Sequence, residues 1–376
     1  MRPDPLRCVD RVGRLRSAFP ETDALLILNS KNIRYLTGFT GGDGALMVGR
    51  DWLTLLVDGR YTTQARAEAG DAEILEFRRR AEGIVETARR HAAGSVGFES
   101  PVLSVEEYLR LREALPEGSL RPLPDTFQLL RAVKDDDEVD RIREAARIAG
   151  EALAAVRGMI RPGVREREIA LELEYRMHRG GAEQVAFETI VAAGANSALP
   201  HATPGNREIA DGDFVKIDFG AVCDGYNSDE TCTFAVGRVD ERRRDVYGLV
   251  REAHDRAIRA IRPGVSCGEI DRTARSFLAE AGLGDAFAHG TGHGVGLDVH
   301  EMPRLAAGRE EKLRAGMVVT VEPGVYLPGH WGVRIEDTVL VMEGGAEILT
   351  PTSKDLTIIR SRARRPARGS QKQGGA

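Results

Sequence analysis

GDFVKIDFG at 212–220 and GMVVTVEPG at 316–324 are two versions of one segment: a glycine, a β-rich run, an acid at the seventh position and a closing glycine. The matching extends in both directions. Upstream, Ile160-Arg161-Pro162-Gly163-Val164 with Glu168-Ile169 returns 101 residues later as Ile261-Arg262-Pro263-Gly264-Val265 with Glu269-Ile270. His201 with Pro204 returns as His300 with Pro303, 99 residues on, and Asp229-Glu230-Thr231 returns as Glu336-Asp337-Thr338, 107 residues on. Loop-length differences between two copies account for so small a drift in offset. Two copies are too few for a solenoid or a propeller, so the repeat predicts a pseudo-twofold domain of two α+β halves, with the matched acids at its axis.

The first copy predicts its own geometry. Between FVKIDFGAV and SDETCTFAV lie Cys223-Asp224-Gly225-Tyr226, and Asp-Gly between β-rich runs signals a hairpin. With Asp224 and Gly225 as the loop, Asp218 faces Thr231, and Asp229 is its diagonal neighbour on the same face, backbones about 7–8 Å apart. Two buried carboxylates at that range need a proton or a cation between them. In the second copy, a strand over 317–322 puts Thr320 and Glu322 on one face, and a strand over 333–341 does the same for Arg334, Glu336 and Thr338. Superposing the copies gathers Asp218, Asp229, Glu322 and Glu336. Four acids beside one arginine predict a site for a pair of divalent ions.

HGTGHGVGLDVHE at 289–301 holds three of the chain's eight histidines. Glycines on both sides of His293 let the backbone come close to a metal or a substrate. One imidazole added to the carboxylates makes a nitrogen/oxygen donor set suited to manganese, cobalt, zinc or iron. A nucleotide-loop reading of GTGHGVG is weak, since no P-loop lysine follows. His91, His178, His254 and His330 are expected at the surface or in packing.

The 376 residues include 53 basic and 58 acidic side chains, a net charge of -5, with 42% hydrophobic residues. That is a soluble globular composition of two domains, and it excludes nucleic acid as the main partner. Cys8, Cys223, Cys232 and Cys267 form no CxxC pair, which fits a reducing, cytoplasmic compartment. The charged N-terminal stretch has no secretory apolar core, and the longest uncharged run, 189–206, carries His201 and two prolines, so no membrane span is expected. Short apolar runs alternate with helical segments over the first third: ALLIL at 24–28, ALMV at 45–48, LTLLV at 53–57, a helix near 61–69 and EILEF at 73–77. They predict a small α/β domain over 1–125. A helix at 104–115 is followed by Pro116, Pro122 and Pro124, an expected break in regular structure. The α+β domain, 126–360, opens near 134 on a helix with an acidic first turn. Residues 361–376 are basic and unpatterned, a predicted disordered, solvated tail.

KIDFGAVCDGYNSDETCTF, HGTGHGVGLDVHE, VEPGVY and RIEDT, with SALPHATPG upstream, resemble the dinuclear metallopeptidases of the creatinase/aminopeptidase "pita-bread" fold. The likeness is to the Xaa-Pro branch, which contains aminopeptidase P and prolidase. NIRYLTGFTG at 32–41 and LVDGRYTTQA at 56–65 resemble that branch's small N-terminal domain. The resemblance implies that Asp218 chelates one metal, that Asp229 and Glu336 bridge both, and that His293 and Glu322 bind the second. It implies two divalent ions per chain, manganese before cobalt or zinc, proline-containing peptides as substrates, and a homodimer. Glu322 is then the proton acceptor, His201 and His300 donate to the reacting peptide, and His289 and Arg334 join them in lining the substrate cleft. Cys232 departs from the pattern, standing where the family usually has arginine, on the sheet face opposite Asp229. The FTG and DGRY segments favour an Xaa-Pro aminopeptidase of the aminopeptidase P type, with prolidase, the Xaa-Pro dipeptidase, as the alternative. Methionine aminopeptidase is disfavoured by the added N-terminal domain, and a metal-free creatinase-like or binding homologue by the intact ligand set.

Overall fold

Helix α1 (Pro5–Ala18) is followed by β1 (Ala24–Ile27), an apolar run buried along its whole length. A strand covered on both faces needs no polar alternation, and β1 is accordingly central in its sheet. The computed structural model describes residues 5–18, 21–123 and 127–360. Next come α2 (Ser30–Thr37), β2 (Ala45–Gly49), β3 (Leu53–Val57), α3 (Thr62–Glu68), β4 (Glu73–Glu76), α4 (Arg80–Arg90), β5 (Val96–Glu99), α5 (Val105–Ala114) and β6 (Leu120–Leu123). The sheet order is β4-β3-β2-β1-β5-β6, with β1 antiparallel to β2 and parallel to β5. The break expected at the prolines is only partial. Pro122 lies within β6, and an edge strand tolerates a missing N–H on its open side. The expected boundary near 125 and the predicted tail at 361–376 lie outside the described residues.

Helix α6 (Phe127–Ala132) leads to α7 (Asp136–Val156). Its acidic start forms a capping box, Asp135 Oδ1 accepting from Glu138 N and Glu138 Oε2 from Asp135 N, each at 3.0 Å. Such a cap contributes about 1 kcal/mol. The first half continues through α8 (Glu166–Arg179), β7 (Gln184–Val185), β8 (Ile190–Ala193), β9 (Phe214–Phe219), β10 (Ala221–Cys223), β11 (Tyr226–Asn227) and β12 (Glu230–Val236). The second contains α9 (Glu241–Ala260), α10 (Cys267–Glu280), β13 (Gly292–Gly294), β14 (Glu301–Leu305), β15 (Val318–Val321), β16 (Gly324–Leu327), β17 (Trp331–Arg334), β18 (Asp337–Met342) and β19 (Gly345–Ile348). A last strand, β20 (Ile358–Ile359), pairs parallel with β12.

The repeat is written in the backbone. Gly163 and Gly264 adopt φ of 85° and 87°, and their N–H groups donate to Ile209 O at 2.9 Å and Leu313 O at 2.8 Å. Glycine takes that conformation without a steric penalty, so the Pro-Gly-Val turn recurs unchanged before α8 and α10. In the first half, Leu153, Ile169 and Leu173 of the helices pack on Val215 and Ile217 of the sheet. In the second, Val250, Ile270 and Leu278 pack on Val319 and Val339. The result is the α/β domain plus pseudo-twofold α+β domain that the repeat implied.

The hairpin has the expected register, Thr231 opposite Asp218 and Val222 opposite Asn227, with Asp224 and Gly225 turning at φ of 47° and 81°. The second copy departs from expectation. Residues 333–341 form two strands, β17 on β16 and β18 on β15, broken at Ile335–Glu336. Strand β15 stops at Val321, so Glu322 sits just past it. Pro323 has no N–H to extend the ladder, and the Glu336 N–H is drawn instead to Thr231 O of the other half, at 3.1 Å. Thr338 Oγ1 donates to Asp229 O at 2.7 Å, and Thr233 Oγ1 to Arg334 O at 2.8 Å, closing the seam between the halves.

Candidate metal centre and substrate cleft

The seam opens into a cleft of about 530 Å³, lined by every residue expected in the site. Asp218 comes from β9 and Asp229 from the residue before β12, while His293 is the middle residue of β13. Glu322 and Glu336 come from the breaks beside β15 and β18, with His201, His289, His300 and Arg334 around them. A larger groove, about 1310 Å³, runs along α4 and α5, far from these donors, and is lined by residues such as Arg80 and Glu107 that pair with each other.

Ligand atoms of Asp229, His293 and Glu336 lie within 4.8 Å of one another. His293 Nε2 is 3.6 Å from Asp229 Oδ2 and 3.5 Å from Glu322 Oε1. Its Nδ1 meets Gly294 O at 3.1 Å. The ring proton therefore belongs on Nδ1, and the Nε2 lone pair faces the carboxylates. Asp218 Oδ2 is held by Arg334, whereas Asp218 Oδ1 is buried without a hydrogen-bond partner among the described residues.

Burial, with the neighbouring acids adding to it, holds the Asp229 and Glu336 carboxyls well above the usual carboxylate range. Glu322 is pushed up to about 7 by burial and the Asp218 charge, against the pull of Arg334. Burial and His300 push His293 down to about 3. Such carboxylates ionise together only with positive charge among them. Four acids, one orphaned oxygen and one imidazole lone pair fit a pair of divalent cations.

Residues outside the expected set hold the donors in place. The Thr231 hydroxyl donates to Glu336 Oε2 at 2.6 Å and accepts from Arg334 Nε at 3.0 Å. Thr320 Oγ1 accepts from His293 N at 3.1 Å. The Lys216 ammonium, buried and pushed down to about 6 by burial and by Arg334, donates to Leu199 O and Pro200 O, just ahead of His201. Thr231 and Lys216 were readable from the hairpin register, since both share a face with Asp218 or lie opposite it. His289 lines the cleft as expected. Its Nδ1 meets Gly290 O and its Nε2 meets Tyr326 Oη, each at 2.8 Å, so both ring nitrogens face protein groups and the residue shapes the cleft wall. His201 and His300 are exposed to the cleft. Beside Cys232, Lys354 Nζ lies 3.7 Å from the thiol and pairs with Glu230 and Asp337.

The Creatinase/Prolidase N-terminal domain matches residues 11–133, and Metallopeptidase family M24 matches residues 140–343. The chain belongs to metallopeptidase family M24. As an M24 protein it is a metallo-exopeptidase, and dependence on two metal ions comes with the family. Among its relatives is the Xaa-Pro dipeptidase of Pyrococcus furiosus, 39% identical over 89% of this chain and 95% of that protein. In three dimensions it is similar to an Xaa-Pro dipeptidase from Bacillus anthracis, with TM-score 0.91 and 38% identity over 94% of this chain and all of that one. An X-Pro aminopeptidase from Thermotoga maritima follows at TM-score 0.86 and 35% identity, covering 93% of this chain and 99% of that one. The M24 fold is therefore established here, pita-bread half and N-terminal domain together.

Proposed function

We propose that the chain is an Xaa-Pro dipeptidase, which reverses the preference for an aminopeptidase P type drawn from the FTG and DGRY segments. The named M24 relatives lean the same way. The observation that carries the reading is Arg304. Its side chain lines the cleft, is exposed, has no acidic partner among the described residues, and sits opposite His293 in the β13–β14 ladder. Opposed strand residues have Cα atoms about 4.5–5.5 Å apart. In a dipeptide, the proline carboxylate is separated from the scissile carbonyl by only the proline nitrogen and Cα. A guanidinium beside the metal centre suits that carboxylate, and binds it through two parallel hydrogen bonds. In Xaa-Pro-Yaa the same position is a neutral amide.

Asp218, Asp229, His293, Glu322 and Glu336 would hold the metal pair, with Asp229 and Glu336 serving both ions and manganese preferred over cobalt or zinc. Bound there, divalent ions supply Lewis acidity that acidifies water and polarises the carbonyl. Glu322 takes a proton from the attacking water and returns it to the proline nitrogen as the C–N bond breaks. His201 and His300 donate to the oxygen that gains charge. Proline's amide nitrogen carries no hydrogen, so the site needs no acceptor for one. Hydrolysis of Xaa-Pro is compared with Xaa-Pro-Yaa for the unmodified chain and for Arg304→Met. The expected result is a dipeptide preference that falls by about tenfold or more in the variant, the loss of one charge-assisted contact. An unchanged ratio, or a native preference for the tripeptide, returns the reading to the aminopeptidase P type.

A further inference from the structure

A buried cluster of charges lies between the N-terminal sheet and the loop that carries His300. It begins at Glu99, at the end of β5, whose Oε2 accepts from Leu28 N at 2.7 Å and Asn29 N at 2.9 Å and whose Oε1 accepts from Asn32. Asn32 Oδ1 in turn accepts from Arg131 Nη1 at 2.8 Å. Arg131, in the short helix α6 between the two domains, directs Nη2 at Asp298 and at Glu301 Oε2, the latter 2.6 Å away. Lys134 Nζ lies 2.8 Å from Glu301 Oε1, both side chains 1% exposed. Lys31 of α2 reaches Asp298 Oδ1 at 2.6 Å.

The polarity of the cluster is its informative feature. Glu99 apart, its anions, Asp298 and Glu301, stand two residues before and one after His300, while its cations come from α2, α6 and the connection to α7. His300 itself is exposed, its ring resting on His293 with centroids 4.3 Å apart. The loop is therefore fixed at the residues flanking the histidine. It is also packed onto the clamp: a Cβ added at Gly296 would come within 2.5 Å of Glu301 Oε1. Buried ion pairs of this kind are a costly way to gain stability, since apolar side chains of the same size often do as well, but they fix geometry. A donor displaced by about 1 Å can lose about a hundredfold in rate.

We propose that Arg131 and Lys134, backed by Lys31 and Asn32, are positioning residues for His300, so that the N-terminal domain and its connection to the second domain set the aim of a group acting on the substrate. The inference rests on the role given to His300 above. It is tested in the full, metal-loaded chain with Arg131→Met and Lys31→Met, each alone and combined with His300→Ala, with rates referred to folded, metal-containing protein. Arg131→Met is expected to lower kcat/KM about tenfold or more, chiefly through kcat, and Lys31→Met about two- to fivefold; neither lowers it by more than about twofold further once His300 is alanine. A purely structural role instead lowers the folded fraction and multiplies with His300→Ala. Should Arg131→Met fail to fold, Lys31→Met carries the same comparison, because its partner Asp298 remains 34% exposed and leaves no fully buried charge. Unmodified kcat/KM in the clamp variants, or a loss that persists undiminished on the His300→Ala background, overturns the clamp alone. Unmodified activity in His300→Ala overturns the role of His300, and the clamp with it.

Discussion

Thr231→Val removes one hydroxyl from the centre of the site and little else. Thr231 is fully buried, and its Oγ1 joins Arg334 Nε at 3.0 Å to Glu336 Oε2 at 2.6 Å. Valine keeps the shape and breaks both bonds. Each involves a charged group and is worth about 1.5–3 kcal/mol, so the metal-free protein is expected to lose about 3–6 kcal/mol. Glu336 also loses the donor that sets its direction, and removing such a support costs about 10- to 100-fold in metal affinity. That factor equals about 1.4–2.7 kcal/mol of binding free energy. Calorimetric manganese titration of the chelated Thr231→Val and Thr231→Ser chains, with melting curves at matched free metal, measures both quantities. Serine should retain the affinity of the unmodified chain, and valine should show the loss together with a smaller metal-induced rise in Tm. Full affinity in Thr231→Val refutes the reasoning. Equal weakness in valine and serine assigns the effect to the methyl group instead.

Asp229→Ala and Glu336→Ala should abolish activity and lose more metal than Asp218→Ala if, as proposed, each of the two carboxylates serves both ions; metal content after dialysis separates the three. His201→Ala and His300→Ala should keep both metals and the fold while kcat/KM drops about a hundredfold or more, whereas histidines that only pack would lower Tm and spare turnover. In the metal-free protein, burial raises the folded-state pKa of Asp229, Glu336 and Glu322 above their unfolded values. The folded chain then holds more protons than the unfolded one, so its stability should fall as pH rises from about 4.5 to about 7. Denaturant melts across that range check the slope, and metal uptake near pH 6 should release protons, read by calorimetry in two buffers.

The legible parts of this molecule are those set by spacing within one segment. Asp224-Gly225 alone sets the pairing of Asp218 with Thr231, because a two-residue turn leaves a hairpin one register. The repeated Pro-Gly-Val turn likewise announced its twin. What escaped depends on which distant segments meet. Arg304 gains its place from a β13–β14 ladder that bridges an irregular loop and shifts register at His293–Gly294, which strand periodicity cannot foresee. Lys354 reaches Glu230 from 124 residues away. The break at Ile335–Glu336 follows a run whose alternation still holds at Val333 and Ile335, and there the Ile335 N–H turns to Pro323 O and the Glu336 N–H crosses to Thr231 O of the other half. His289 takes its place in the cleft wall, but its partner Tyr326 lies 37 residues downstream, beyond what the motif spacing reveals.

The bonds Glu336 N to Thr231 O and Thr338 Oγ1 to Asp229 O stitch together two half-folds that each carry part of the proposed set of metal donors. Asp218 and Asp229 belong to one, and His293, Glu322 and Glu336 to the other. Metal ions held there would act as a rivet through both plates, their binding energy adding to the cohesion between the halves. A shift of one half against the other by a bond length would move the proposed donors of one half away from those of the other. The enzyme's catalytic readiness is thereby tied to the closure of its own middle, and chelation, heat or denaturant should all reach activity first by loosening that joint.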